Sequence, residues 1–225
     1  MGAPRNTWPF IALLATLLLV LWLLVFMDTI SFAYEQLGLS PEQALLLLLA
    51  SLAGSGIDLP VARVESKSQP APTVVSVFGM QYVVPRAGGG STLIAVNVGG
   101  ALIPTGFSVW LVLRDTQPWW EYVAAIAVVA AIVHLVARPV AGVGIVVPSL
   151  VPPLVAAAAA YGLAGTHAAP IAYVAGTLGT LLGADLSNLR RIPETGASVG
   201  SIGGAGTFDA VFLSGVMAVL LAALL

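Results

Sequence analysis

Cysteine is missing from all 225 residues, which excludes disulfides, thiolate catalysis and cysteine-held metal or cluster sites. Charge is nearly as scarce: Asp, Glu, Lys and Arg make up 8% of the chain, against roughly 25% in a soluble domain. With so few charges the net value of −2 says little about partners, and no nucleic-acid partner is expected. Histidine occurs twice, at His134 and His167, far apart in sequence; neither a metal site nor any other cofactor site is expected.

What the chain does have is apolar surface. It is 59% hydrophobic with a mean hydropathy of +1.01. The fold class implied is an all-α polytopic membrane protein with about seven transmembrane helices, broken by Gly and Pro where they open on the cytoplasmic side, plus one surface β-hairpin.

Residues 8–27 form the first apolar run, too long for a signal peptide and followed by no small-x-small cleavage site, so they read as a retained first helix. Ser40-Pro41-Glu42 reads as a helix start, Ser as cap and Pro in the first turn, with helix 2 running to about Ile57. These two helices form an N-terminal pair over 1–62, and "RVESKSQPAPT" over 63–73 is a polar linker. The β-branched runs "TVVSVFGMQYVV" and "STLIAVNV", joined by "PRAGGG", predict a cytoplasmic β-hairpin over 74–98. A five-helix membrane core then fills 99–225: helices near 100–113, 119–136, an irregular Pro-broken helix 5 after Arg138, 169–188 and 205–225. Trp119, Trp120 and Tyr122 suit an interfacial belt.

Lys and Arg set the orientation. A cytoplasmic N-terminus puts Arg5, Arg63, Lys67, Arg86, Arg138, Arg190 and Arg191 inside and only Arg114 outside. A multi-pass protein of the cell (plasma) membrane is expected, with its C-terminus outside.

Three Gly- or Pro-rich segments then open on one face: "NVGGALIPTG" (97–106), "AGVGIVVPSLVPP" (141–153) and "GSIGGAGTFD" (200–209). Irregular backbone at membrane depth survives when buried in protein or lining a wet cavity, so three such segments point to a shared cytoplasmic cavity. The blander reading is close helix packing at glycines and kinks at prolines. Val98-Gly99-Gly100-Ala101 also matches Ile202-Gly203-Gly204-Ala205, a possible trace of a parallel repeat.

Two acids sit in this region. Asp185 lies in "GTLLGADLSNLRR" at the end of helix 6, and Asp209 in the first turn of helix 7. Acids within membrane segments are costly and are read as functional by default. The helix dipole favours a charge on Asp209 and disfavours one on Asp185, so a close pair would ionise unequally, as an aspartic dyad requires. The structural alternatives are that Asp209 only complements the dipole, with Thr207 as N-cap, and that Asp185 pairs with Arg190 or Arg191. Asn97 and Asn188 suit turns or caps. His134 reaches toward the cavity or packs at the interface, and His167 is solvated. "GGAG" before a helix suits an anion, but Asp209 opposes one and no Walker lysine is present.

The segments "VNVGGALIPTGFSVWLVLR", "RPVAGVGIVVPSLVPPLVAA", "GTLGTLLGADLSNL" and "IGGAGTFDAVFLSG" together resemble a prokaryotic integral-membrane family known only as a domain of unknown function, over roughly residue 59 to the C-terminus. A looser resemblance is to the GxGD intramembrane aspartyl proteases, the presenilin and prepilin peptidase group. It implies two membrane acids on neighbouring helices, one following Gly-x-Gly, that cut peptides. Gly204-Ala205-Gly206 is followed by Thr207-Phe208 before Asp209, two residues late. Ala184 stands where presenilin-type enzymes have tyrosine, and "ALIP" at 101–104 is a reordered, earlier counterpart of their Pro-Ala-Leu element.

Three functions follow as expectations. One is a peptidase with Asp185 and Asp209 as dyad, no metal or cofactor, and Asn97, Gly99, Gly100, Pro104, Gly203, Gly204, Gly206 and Thr207 contacting a membrane-protein substrate. Another is binding or transport of a small solute or ion, which needs a polar path through an outer half that reads as almost wholly apolar. The third is a non-catalytic accessory subunit packed against partner subunits in the bilayer.

Overall fold

The computed structural model describes residues 8–65, 73–77, 80–84, 90–140, 144–204 and 208–225. Among the described residues there are seven α-helices: α1 Trp8–Glu35, α2 Pro41–Gly54, α3 Ile103–Arg114, α4 Trp119–Val136, α5 Val151–Ala164, α6 Ala168–Thr180 and α7 Phe208–Leu224. Among the described residues, three helical stretches are long and apolar enough to cross a membrane: Ala12–Glu35, Trp119–Val136 and the continuous Val151–Thr195. The last contains both α5 and α6, which fold back on each other at Gly165, where φ is +55°. The remaining apolar helices, Pro41–Gly54, Val98–Arg114 and Ser214–Leu224, are shorter. The apolar helices fit an integral membrane protein, with fewer full-length spans than the seven expected.

Local chemistry explains the boundaries. Ser40 caps α2: its hydroxyl accepts from the Gln43 amide, and the Gln43 side chain accepts from the Ser40 amide at 3.0 Å, a reciprocal box that satisfies two donors at the helix start. α2 stops at Gly54 rather than Ile57 because the chain turns there into a strand beginning at Asp58. α4 and α6 approach closely at glycines. A Cβ on Gly179 would stand 2.6 Å from Val129 Cβ, and one on Gly183 would stand 2.4 Å from the Ala130 carbonyl oxygen. The core lies around this contact, with Val129, Val133, Ile171 and Val174 fully buried.

The expected hairpin over 74–98 is corrected. β2 (Thr73–Val77) and β3 (Met80–Val84) pair with each other, so the first run closes on itself. The second run, β4 (Ser91–Asn97), is the centre of a different sheet, antiparallel to β1 (Asp58–Glu65) and parallel to β7 (Val199–Ile202). The reason is burial: Leu93, Ile94, Ala95 and Val96 form a continuous apolar run, which belongs inside a sheet rather than in an edge hairpin. A further small hairpin, β5 (Arg138–Val140) with β6 (Gly144–Val146), takes the place of the irregular start expected for helix 5. Of the linker, residues 63–65 belong to β1; 66–72, with Lys67, lie outside the described residues, as do Arg5, Arg86 and 141–143.

The sheet gathers one end of the bundle. β7 and the β5–β6 hairpin both pack on the 3₁₀ segment Leu186–Thr195, so Arg63, Arg138, Arg190 and Arg191 share that end. Arg114 closes α3 at the other end, where its guanidinium lies 4.9 Å from the Trp110 ring centroid.

Candidate functional site

β4 and β7 run side by side in the same direction, Leu93 opposite Val199 and Val96 opposite Ile202. Each leads through a Gly-Gly pair toward a helix, α3 after Gly99-Gly100 and α7 after Gly203-Gly204. The two matching tetrapeptides are therefore neighbours in space. They stand two residues out of step with the strand register, a shift that keeps each side chain on its own face.

Asp185 ends a π-helical turn, Leu181–Asp185, that continues α6. Such turns are rare and are frequent at functional sites. The residue is 3% exposed, and its Oδ2 accepts the Gly203 amide at 2.7 Å. A carboxylate bonded to a backbone amide makes a strong, charge-assisted bond, here across the gap between α6 and the approach to α7. Gly203 has φ +69°, a conformation that favours glycine. A Cβ there would stand 2.7 Å from the Gly100 carbonyl and 2.8 Å from Ala101 Cβ. The "ALIP" segment thus packs directly against the Gly-rich segment that precedes Asp209.

Asn97 is a cap, as its residue type suggested. It is 2% exposed. Its Oδ1 accepts the Gly100 amide at 2.8 Å, closing the π-helical turn Val98–Leu102, while its Nδ2 donates to the Ser55 carbonyl at 2.7 Å and to Asp58 Oδ1 at 3.0 Å. The same Asp58 oxygen accepts the Ser201 hydroxyl. Asp58 therefore ties β1, β4 and β7 together at their junction with the helices. Sequence reading missed it; the signal was an isolated acid directly after an apolar helix. Gly99 lies against α2, its carbonyl accepting the Ser51 hydroxyl at 2.6 Å. Pro104 is buried in the first turn of α3, where its carbonyl accepts the Ser108 hydroxyl at 2.8 Å. The Gly204 amide donates to the Ser201 carbonyl.

Gly206 and Thr207 lie outside the described residues. Asp209 belongs to the first turn of α7, and its side chain lies outside them too. α6 and α7 pack along each other, with the Asp185 carboxylate holding Gly203, six residues ahead of Asp209. Asn188 is buried and donates to the Ala184 carbonyl at 2.9 Å. His134 Nδ1 lies 2.7 Å from Ser187 Oγ, and both side chains are at the surface. His167 is exposed.

A second polar group lies deeper, between α6 and α7. The Thr180 and Ser214 hydroxyls are 3.3 Å apart, and the Gly176 carbonyl accepts from both. One turn earlier on α6, the buried Thr177 Oγ1 lies beside the Tyr173 hydroxyl, as does the buried Tyr34 Oη of α1. A small apolar cluster, Ala101, Leu181 and Val211, forms between the elements that carry these hydroxyls and those that meet at Asp185.

A family model described as "Protein of unknown function (DUF1614)" matches residues 52–221. No curated protein and no solved structure matches the chain.

Proposed function

We propose, for a chain that belongs to the DUF1614 family, an aspartyl-type intramembrane peptidase site in which Asp185 and Asp209 act as a pair. The observation that carries this reading is the bond from the Gly203 amide to the buried Asp185 carboxylate. It fixes one acid of the pair against the Gly-rich segment that leads into the other. The packing of Ala101 on Gly203 supports it, because it brings "ALIP" beside that segment in space although not in sequence order.

In the proposed reaction one carboxylate is ionised and its partner protonated. The ionised one takes a proton from water, and the water oxygen attacks the scissile carbonyl carbon. The protonated one gives its proton to the carbonyl oxygen. Collapse breaks the C–N bond: the protonated carboxyl gives its proton to the leaving amine, while a hydroxyl of the intermediate returns its proton to the ionised carboxylate and restores the pair. Gly100, Pro104, Gly203 and Gly204 line the approach, and Asn97 and Gly99 hold its shape. The substrate is a membrane-borne peptide in extended form, presented by strand addition to the sheet. The grouping of four arginines at the sheet end supports a plasma-membrane protein with the site facing the cytoplasm, the N-terminus inside and the C-terminus outside.

The test compares peptide termini in membranes of cells expressing the native chain, Asp185→Asn or Asp209→Asn. New membrane-protein termini should appear with the native chain and vanish with either variant. The same termini in all three would sink the peptidase.

The buried hydroxyls favour a second reading. Tyr34, Thr177, Thr180 and Ser214 supply polar atoms inside the bundle beyond Asp185, and proton or ion transfer along α6 and α7 would use them. Proton flux into dye-loaded liposomes, lost in Thr177→Val, would favour it over the peptidase.

A further inference from the structure

The sheet end of the bundle carries a cationic patch that the aspartate reading leaves unused. Arg138 leaves the C-terminus of α4, and Arg190 and Arg191 lie on the 3₁₀ segment Leu186–Thr195 that packs on β5 and β6. All three arginines are exposed. His134 joins them through its contact with Ser187 at 2.7 Å, which fastens the end of α4 to the start of that segment. Arg191 is steadied by a bond to Asn188 Oδ1 at 3.2 Å.

Exposed apolar side chains lie on the elements that carry these cations and on the turn just before them. Leu135 is 80% exposed, Leu182 42% and Leu186 43%. Arginines beside exposed leucines at the end of membrane helices match a phospholipid, with an anionic headgroup on the cations and acyl chains on the leucines. A free phosphate would use only half of this surface. Guanidinium groups also suit phosphate oxygens through paired N–H donors.

We propose that Arg138, Arg190 and Arg191, with His134 and Ser187, form a binding site for an anionic phospholipid headgroup at the sheet end of the bundle. The proposal stands independently of the peptidase reading. Bound lipid there would brace α4 against the segment that follows Asp185, since the cations come from both. Basic pockets between membrane helices hold anionic headgroups in this way.

The test is native mass spectrometry of the full chain released from micelles containing equal phosphatidylglycerol and phosphatidylcholine. The native chain should retain phosphatidylglycerol preferentially, and excess inorganic phosphate should not displace it. Arg138→Gln with Arg190→Gln should lower that retention to the phosphatidylcholine level. Arg138→Lys with Arg190→Lys, which keeps the charge, should retain most of the preference, and Arg114→Gln at the opposite end should leave it unchanged. Equal retention of both lipids by the native chain, or an undiminished preference in the double Gln variant, would overturn the proposal. So would displacement by inorganic phosphate, which would assign the site to the free anion.

Discussion

α1 and α6 are both apolar, yet the chain treats them in opposite ways. Along α1 the side chains from Leu13 to Val25 are mostly exposed, Leu17 at 58% and Trp22 at 59%. On α6 every residue from Ile171 to Thr177 is buried. α1 has a smooth surface of large aliphatic side chains suited to lipid. α6 has Gly176, Gly179 and Gly183 at its contacts, which let α4 and α7 approach to backbone distance. Without a hydrophobic drive between helices in lipid, such close packing and buried hydrogen bonds hold a bundle together. Hydrophobicity alone therefore locates lipid contact here, while small and polar residues locate the core and the acid it carries.

Substitutions that reverse the two patterns test this contrast. Gly183→Val places a Cβ 2.4 Å from the Ala130 carbonyl oxygen and should cost about 3 kcal/mol or prevent assembly, read as a shift in detergent-induced unfolding. Leu17→Ala on α1 should change the same measurement by less than about 0.5 kcal/mol. An equal loss at both positions would break the comparison.

Next in size is the acid itself. Asp185→Ala removes the acceptor of the Gly203 amide and should cost about 2 kcal/mol, in the range for bonds to charged groups. Asp185→Asn keeps an acceptor and should cost less. At the edge of the bundle, Ser40→Ala removes the α2 cap and should cost about 1 kcal/mol, seen as a lower Tm.

The smallest effect is one of pH. The Ser40 hydroxyl donates to Glu42 at 2.7 Å, and this holds the Glu42 carboxyl below its ordinary range. A lowered folded-state value means that its stabilisation is present above the ordinary carboxylate range and is lost as pH falls through it. Glu42→Gln should therefore unfold slightly earlier than the native chain at neutral pH, and the two curves should merge only once pH has fallen below the ordinary carboxylate range.

How much of this was legible in sequence depended on how local the signal was. Trp119–Val136 is read correctly to the residue, because a Pro, a Trp pair and an unbroken apolar run bound it. The Ser40 cap and Pro41 are equally local. The partner of β4 was not legible: its mates lie near residues 58 and 199, and nothing in "STLIAVNV" names them. β7 is only four residues long and sits among glycines and serines. Asp185 stands out in sequence as an acid in an apolar segment, but its Gly203 partner depends on how α6 meets β7. Asp58 escaped notice because its role comes from Asn97 and Ser201, both distant in sequence. The buried hydroxyls of α6 were hidden by an average hydropathy in which a few Thr and Ser disappear.

The most direct test of the proposed pair uses the chain's lack of cysteine. Asp185→Cys with Asp209→Cys gives a protein with two thiols and no others, to be treated in the membrane with a short bifunctional thiol reagent and weighed intact. The account predicts one bridging reagent per chain, and two separate adducts for a control pair of Asp185→Cys with Leu224→Cys at the far end of α7. Two separate adducts on the Asp185–Asp209 pair as well would place the acids apart and contradict the dyad.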